Sequence, residues 1–131
     1  MDEGDTIYRA FLFDVYRNMQ HKHSLEQNAH TFSYEMYNAA CGDKICMHIA
    51  MNDTNTTIQD MSFTGEGCLL SSVSAELLAD QYIGEDINAL LTIDLASQLE
   101  RMGIHPAPTR MKCIELPLVS IRELALQIIK A

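Results

Sequence analysis

Three cysteines in unlike local settings carry most of the chemistry this chain can do. Cys41 stands in Asn38-Ala39-Ala40-Cys41-Gly42-Asp43, Cys68 in Gly65-Glu66-Gly67-Cys68, and Cys113 in Arg110-Met111-Lys112-Cys113. With Asp43 they offer three thiolates and one carboxylate, a four-coordinate set suited to zinc or to an iron–sulfur cluster. A purely structural zinc site normally closes with four Cys or His ligands. A lone carboxylate is a harder and more easily displaced partner, so this ligand set is suited to opening.

The spacing supports the choice. Cys41 and Asp43 lie two residues apart with Gly42 between them, and the glycine lets a loop turn both side chains toward one ion. Cys68 follows two glycines after a strand and opens a helix, where the aligned amides favour the thiolate that binds metals. Cys113 is flanked by Arg110 and Lys112. Three thiolates and a carboxylate around one divalent ion leave a net charge of −2, so cations beside the site support it.

The elements that must hold these residues are legible from periodicity. Residues 6–19 predict an amphipathic helix with Ile7, Phe11 and Val15 on one stripe, Tyr8 and Leu12 beside it, and Thr6 or Asp5 as cap. A polar stretch over 20–31 carries His21, His23 and His30, whose spacing fits no single helical face; they read as exposed polar residues sooner than as a second metal site. Phe32, Tyr34 and Met36 alternate with polar residues and predict a strand over 32–37. Residues 44–51 alternate cleanly, with Ile45, Met47, Ile49 and Met51 on one side and Lys44, Cys46, His48 and Ala50 on the other. The Asn52-Asp53-Thr54-Asn55 turn leads to a return strand over 56–64, anchored by Ile58 and Phe63. The result is a three-stranded antiparallel meander, with Cys41 on the loop entering its middle strand.

A helix is predicted over 69–83, with Leu69, Val73, Leu77 and Leu78 facing a core and Gly84 as its stop. Short helices fill 85–102 and end at Gly103. The tail from 111 to 130 has a helical pattern interrupted by Pro117, which predicts a short turn carrying Cys113 and a separate helix starting near Pro117. No repeat or linker divides the chain, so all 131 residues are expected to form one domain.

Composition bounds the function classes. Nine Lys plus Arg against 18 Asp plus Glu give −9, which argues against a phosphate backbone as ligand, so no nucleic acid is expected. No apolar run approaches the ~20 residues needed to span a bilayer, so no membrane is expected either. Asp2, Glu3, Asp5 and Asp14 exclude a signal or Arg-rich transit peptide from the first 20 residues, and a cytoplasmic location is expected. Thiols stay reduced there, so four cysteines point to metal or sulfur chemistry before disulfides.

In combination, Asn38-x-x-Cys41-Gly42-Asp43, Gly65-x-Gly67-Cys68 with the Ser71-Ser72-x-Ser74 helix, and Arg110-x-Lys112-Cys113 resemble the iron–sulfur cluster assembly scaffolds of the NifU/IscU/SufU type. The resemblance runs from about residue 7 to 128. It implies an α+β domain with a small antiparallel sheet packed on helices and a site at one end formed by Cys41, Asp43, Cys68 and Cys113. It also implies a cysteine desulfurase as sulfur donor and apo iron–sulfur proteins or carriers as recipients. The scaffold branch usually has a histidine before the last cysteine, where this chain has Lys112, as in the zinc-dependent sulfurtransferase branch. That branch usually carries an insertion between the second and third cysteines, whereas only 44 residues separate Cys68 from Cys113 here.

Two mechanisms use the same ligands. As a scaffold, the chain would hold a transient [2Fe–2S] cluster on Cys41, Asp43, Cys68 and Cys113, labile through its carboxylate. As a sulfurtransferase, it would hold zinc there until a desulfurase group displaced a ligand and freed Cys41 as the sulfur acceptor. A cluster can also be bridged between two copies, so monomer and homodimer both remain open. Cys46 reads as a half-buried strand residue, His105 as a loop residue before Pro106, and the eight methionines as core filling.

Overall fold

The alternating residues of 44–51 form the centre of the molecule. The structure, a computed structural model, describes residues 3–39 and 41–131. Helix α1 (Glu3–Arg17) precedes three strands, β1 (Thr31–Asn38), β2 (Asp43–Met51) and β3 (Ile58–Glu66). Helix α2 (Leu69–Tyr82), a 3-10 helix (Ile87–Thr92), α3 (Leu95–Met102) and α4 (Pro108–Lys130) complete the chain. The strands form one antiparallel sheet in the order β1-β2-β3.

Ile45, Met47, Ile49 and Met51 are all buried, as their alternation requires. They meet Met61 and Phe63 of β3 and the inward faces of α2 and α4, which cover this side of the sheet. A second apolar cluster joins Leu12, Val73, Leu77, Met102 and Ile114, tying α1 and α3 to α2 and α4. Within α1 the inward residue is therefore Leu12, with Val15 beside it, while Phe11 is 40% exposed. The expected stripe is rotated because α1 packs on α2 and not on the sheet. The side chains of Ile7 and Tyr8 are not among those described, and the helix begins upstream of Asp5 and Thr6.

Pro117 does not divide the last helix. Helix α4 runs unbroken from Pro108, with Pro117 buried inside it. Proline lacks an N–H, so the Cys113 carbonyl one turn earlier loses its helical donor. Tertiary packing compensates: Ile114, Leu116, Leu118, Ile121, Leu124 and Ile128 are all buried. The next carbonyl, Ile114 O, accepts the Ser74 hydroxyl at 3.0 Å, and Gln98 Nε2 donates in turn to Ser74 Oγ. At α3, Gly103 is left-handed at the C-terminus as expected, and Asp94 accepts from the Ser97 amide at the start. No helix among the described residues is long and apolar enough to cross a membrane.

On the other face of β2, His48 is buried beneath the segment between α1 and β1. Its ring bridges the Ser33 and Thr64 hydroxyls at 2.7 and 2.9 Å, spanning all three strands. Burial, and after it the His23 charge, hold its pKa below the usual histidine range. The unfolded chain thus takes up this proton at a higher pH than the folded one. Stability is expected to fall as pH drops through about 6.5 toward the folded pKa, and then to level off. Urea midpoints at pH 7.5 and 5.5 test this; the difference should shrink in His48→Gln, and an equal difference in both chains would overturn it.

Candidate metal centre

Asp43, expected on a loop, is instead the first residue of β2, 6% exposed and paired in register with Asn38. Strand β3 extends through Gly65 and Glu66, so the chain leaves the sheet at Gly67 and turns directly into α2. That connection sets Cys68 as the N-cap residue of α2, beside the start of β2. The Cys68 amide donates to Asp43 Oδ1 at 3.1 Å, and the buried Ser71 hydroxyl donates to Oδ2 at 3.0 Å. The carboxylate thus serves the helix N-terminus in place of a side-chain cap, which Cys68 does not make.

Burial alone would raise the Asp43 pKa. The Cys68 amide, then the Cys68 thiol, the Ser71 hydroxyl and the Cys41 thiol outweigh it and hold the group below the usual carboxylate range. It is therefore ionised at neutral pH, as a metal ligand must be.

Cys41 is exposed on the turn between β1 and β2, its thiol 3.9 Å from the Asn38 carbonyl. Cys113 lies in the second turn of α4 and is 1% exposed. One ligand atom each from Cys41, Asp43 and Cys113 lie within 4.8 Å of one another. Cys68 borders this group through Asp43 and through Ser71 Oγ, 3.8 Å from its sulfur.

The electrostatics fit a cation. Burial, then a hydrogen bond with Cys41 and the charges of Cys68, Cys41 and Asp43, push the Cys113 thiol far above its usual range. Without a cation, Cys113 stays protonated. A bound ion supplies the positive charge that would let several thiols ionise together. Of the four expected residues, Cys41, Asp43 and Cys113 are gathered closely enough to hold a metal ion, and Cys68 borders them without joining the group.

Arg110 and Lys112 are exposed. Arg110 lines a groove with Arg9, Leu69 and His105, and Lys112 lies in a shallow groove with Asn38 and Ala39, beside the Cys41 turn. Cys46 is half-buried on the outer sheet face, as expected. Burial, and next the Glu35 charge, push its thiol up, which makes it a poor nucleophile. Ser71 is the residue that spacing alone did not reveal. Its place in the first turn of α2 was visible, but its bond to Asp43, 28 residues earlier, was not.

A three-stranded antiparallel sheet with helices on one face and thiols gathered at one end makes this a small α+β protein with a candidate metal site. Comparison with known proteins narrows it: residues 7–126 match the NifU-like N terminal domain, and the chain belongs to that family. It is 30% identical to the zinc-dependent sulfurtransferase SufU of Bacillus subtilis, over 86% of this chain and 84% of that one. It is 28% identical to the iron-sulfur cluster assembly scaffold protein IscU of Thermotoga maritima, over 66% of this chain and 70% of that one. The fold is shared with the N-terminal NifU-like protein of Brucella abortus, with a TM-score of 0.75 at 17% identity, covering 96% of both chains.

Proposed function

We propose that the chain is an iron–sulfur cluster assembly scaffold. It would accept sulfur from a cysteine desulfurase, assemble a transient [2Fe–2S] cluster on Cys41, Asp43, Cys68 and Cys113, and pass it to apo-proteins or carriers. One observation carries this: an exposed Cys41 thiol shares its immediate surroundings with a buried carboxylate and a buried thiol. A buried, closed ligand set would suit a structural ion. A set with one member at the surface suits cargo that arrives and leaves.

In the sulfur step, the Cys41 thiolate attacks the outer sulfur of the desulfurase persulfide. The donor S–S bond breaks, its electron pair stays on the desulfurase cysteine, and a persulfide forms on Cys41. Assembly from sulfur delivered this way also consumes ferrous iron and electrons from a reductant. Asp43 would be the ligand most easily exchanged, because the Cys68 amide and the Ser71 hydroxyl compete for its oxygens. A bound ion would keep the thiols ionised.

A second function is favoured by a specific residue: Lys112 stands where the scaffold branch usually has histidine, and the Bacillus subtilis relative is a zinc-dependent sulfurtransferase. The same site would then hold zinc and release Cys41 when a desulfurase group displaces it.

Anaerobic reconstitution with a desulfurase, cysteine, a reductant and ferrous iron separates the two. A visible cluster chromophore that passes to an apo-ferredoxin supports the scaffold. Stoichiometric zinc, no chromophore and faster desulfurase turnover support the sulfurtransferase.

Asp43→Ala is expected to retain bound cluster or zinc but slow its exchange at least about tenfold, the scale on which changes around a metal site act. The loss of two buried hydrogen-bond partners should also destabilise the fold by about 1–3 kcal/mol. Exchange rates followed beside thermal melts separate the two effects. Unchanged transfer and unchanged desulfurase stimulation would remove the labile-ligand role from Asp43.

A further inference from the structure

His21, expected to be an exposed polar residue, is packed against α2 and forms a second cluster with Glu76 and Asp80. Its Nε2 lies 2.7 Å from Asp80 Oδ1 and 3.7 Å from Glu76 Oε2. One ligand atom from each of the three residues falls within 4.8 Å of the others. We propose that His21, Glu76 and Asp80 form a second divalent-metal site, of the zinc class, that ties the segment following α1 to helix α2.

Two of the three ligands, Glu76 and His21, are held in place before any ion arrives. Glu76 and Asp80 are four residues apart and so share one face of α2. Glu76 is 2% exposed, and its two oxygens accept the Gln20 and His21 amides at 2.9 and 3.0 Å. A carboxylate has about four acceptor positions, so two remain for a metal after those bonds. The backbone of His21 is fixed twice, through its amide on Glu76 and through its carbonyl, which accepts the Phe63 amide at 2.9 Å. Ligand atoms about 2.0–2.2 Å from a tetrahedral zinc sit roughly 3.3–3.6 Å apart, a separation bracketed by the two observed distances. Closing the geometry requires a small outward shift of Asp80, whose side chain is 60% exposed and free to make it. The same exposure leaves an entry path and room for water as a fourth ligand.

Charge and ligand type select the ion. Two carboxylates and a neutral imidazole carry −2, which a divalent cation cancels. Among the described residues the buried Glu76 has no Lys or Arg within ion-pair distance, only the His21 ring, which is neutral when it ligates a metal, so the ion itself would supply the counter-charge. Imidazole nitrogen favours zinc and its neighbours over calcium or magnesium, which take oxygen ligands. Glu76 and Asp80 lie 8 and 12 residues beyond Cys68, about 12 and 18 Å along the helix axis, so the thiol site and this one hold separate ions. The second site uses none of the thiol-site residues.

The test is a cobalt titration of the chain already loaded with one equivalent of zinc. A second equivalent should bind and show visible d–d bands without thiolate charge transfer. His21→Ala and Asp80→Asn should each lose that equivalent, with zinc in the thiol site unchanged. Should His21→Ala fail to fold, Asp80→Asn decides alone, since it keeps the shape of an exposed side chain. A wild-type chain that takes no second ion would overturn the site and leave His21 as a hydrogen-bonded strap. A second ion that survives Asp80→Asn, or that shows thiolate charge transfer, would overturn it as well.

Discussion

A Cys41→Ser chain is expected to fold normally and to take up no sulfur from a desulfurase persulfide. Of the three candidate thiols, Cys41 alone is exposed; Cys68 is half-buried at the N-terminus of α2 and Cys113, on α4, is buried. Attack on a persulfide requires a thiolate that the donor can reach, and a serine hydroxyl stays protonated at neutral pH and does not attack. The turn bearing Cys41 is at the surface, so the substitution should change stability by no more than about 0.5 kcal/mol. Intact-mass measurement after incubation with a desulfurase and cysteine should show one added sulfur on the wild-type chain and none on the variant. Sulfur uptake undiminished in Cys41→Ser would move the acceptor to Cys68 or Cys113. The same variant should fail to build the cluster chromophore, because its remaining thiols cannot replace an accessible one.

Gly65→Ala should be among the most destabilising single substitutions in this chain. Gly65 has φ of +112°, a backbone conformation that side chains rarely adopt. A Cβ built there would also collide with the carbonyl of Lys44, which belongs to the neighbouring strand and cannot move without disturbing the β2–β3 ladder. Backbone strain costs about 1–3 kcal/mol, and forced repacking a similar about 1–3 kcal/mol. Against a total stability of roughly 5–15 kcal/mol, the combination removes a large part of what holds the fold. Gly84 is the matched control: its φ is +94°, but a Cβ there meets nothing within 4 Å. Chemical denaturation should thus show Gly65→Ala losing clearly more stability than Gly84→Ala. Equal losses would mean that the Lys44 carbonyl yields easily. Because β3 runs through Gly65 directly into Cys68, the folded fraction of Gly65→Ala should also hold metal less tightly.

The local part of this architecture was open to reading along the chain. Strict alternation over 44–51 placed β2 and its buried face, because side chains on a strand repeat every two residues. Gly103 ended α3 and Gly84 followed α2 for conformational reasons that act within a few residues. The three cysteines and Asp43 stood out by type and by neighbours, and the family they resemble is the one to which the chain belongs.

What periodicity could not supply were the effects of distant partners. Pro117 carries a strong local signal for a helix break. Burial of α4 against β1, β2 and α2 overrides it and carries Cys113 into the core. The face that α1 buries depended on its packing against α2, so Leu12 and not Phe11 turned inward. Asp43 was legible as a ligand candidate on a loop, but not its burial at the start of β2, where the β3–α2 junction brings the Cys68 amide and Ser71 hydroxyl onto it from more than twenty residues away. His21 looked like one of three unrelated histidines until the segment after α1 folded back over β3 and met two acidic residues on α2. Residue types and short-range patterns thus determined which side chains can do chemistry and the strands and most of the helices that carry them. Only the tertiary structure decided which of those side chains meet, because burial and the pairing of distant polar groups depend on contacts between segments far apart in the chain.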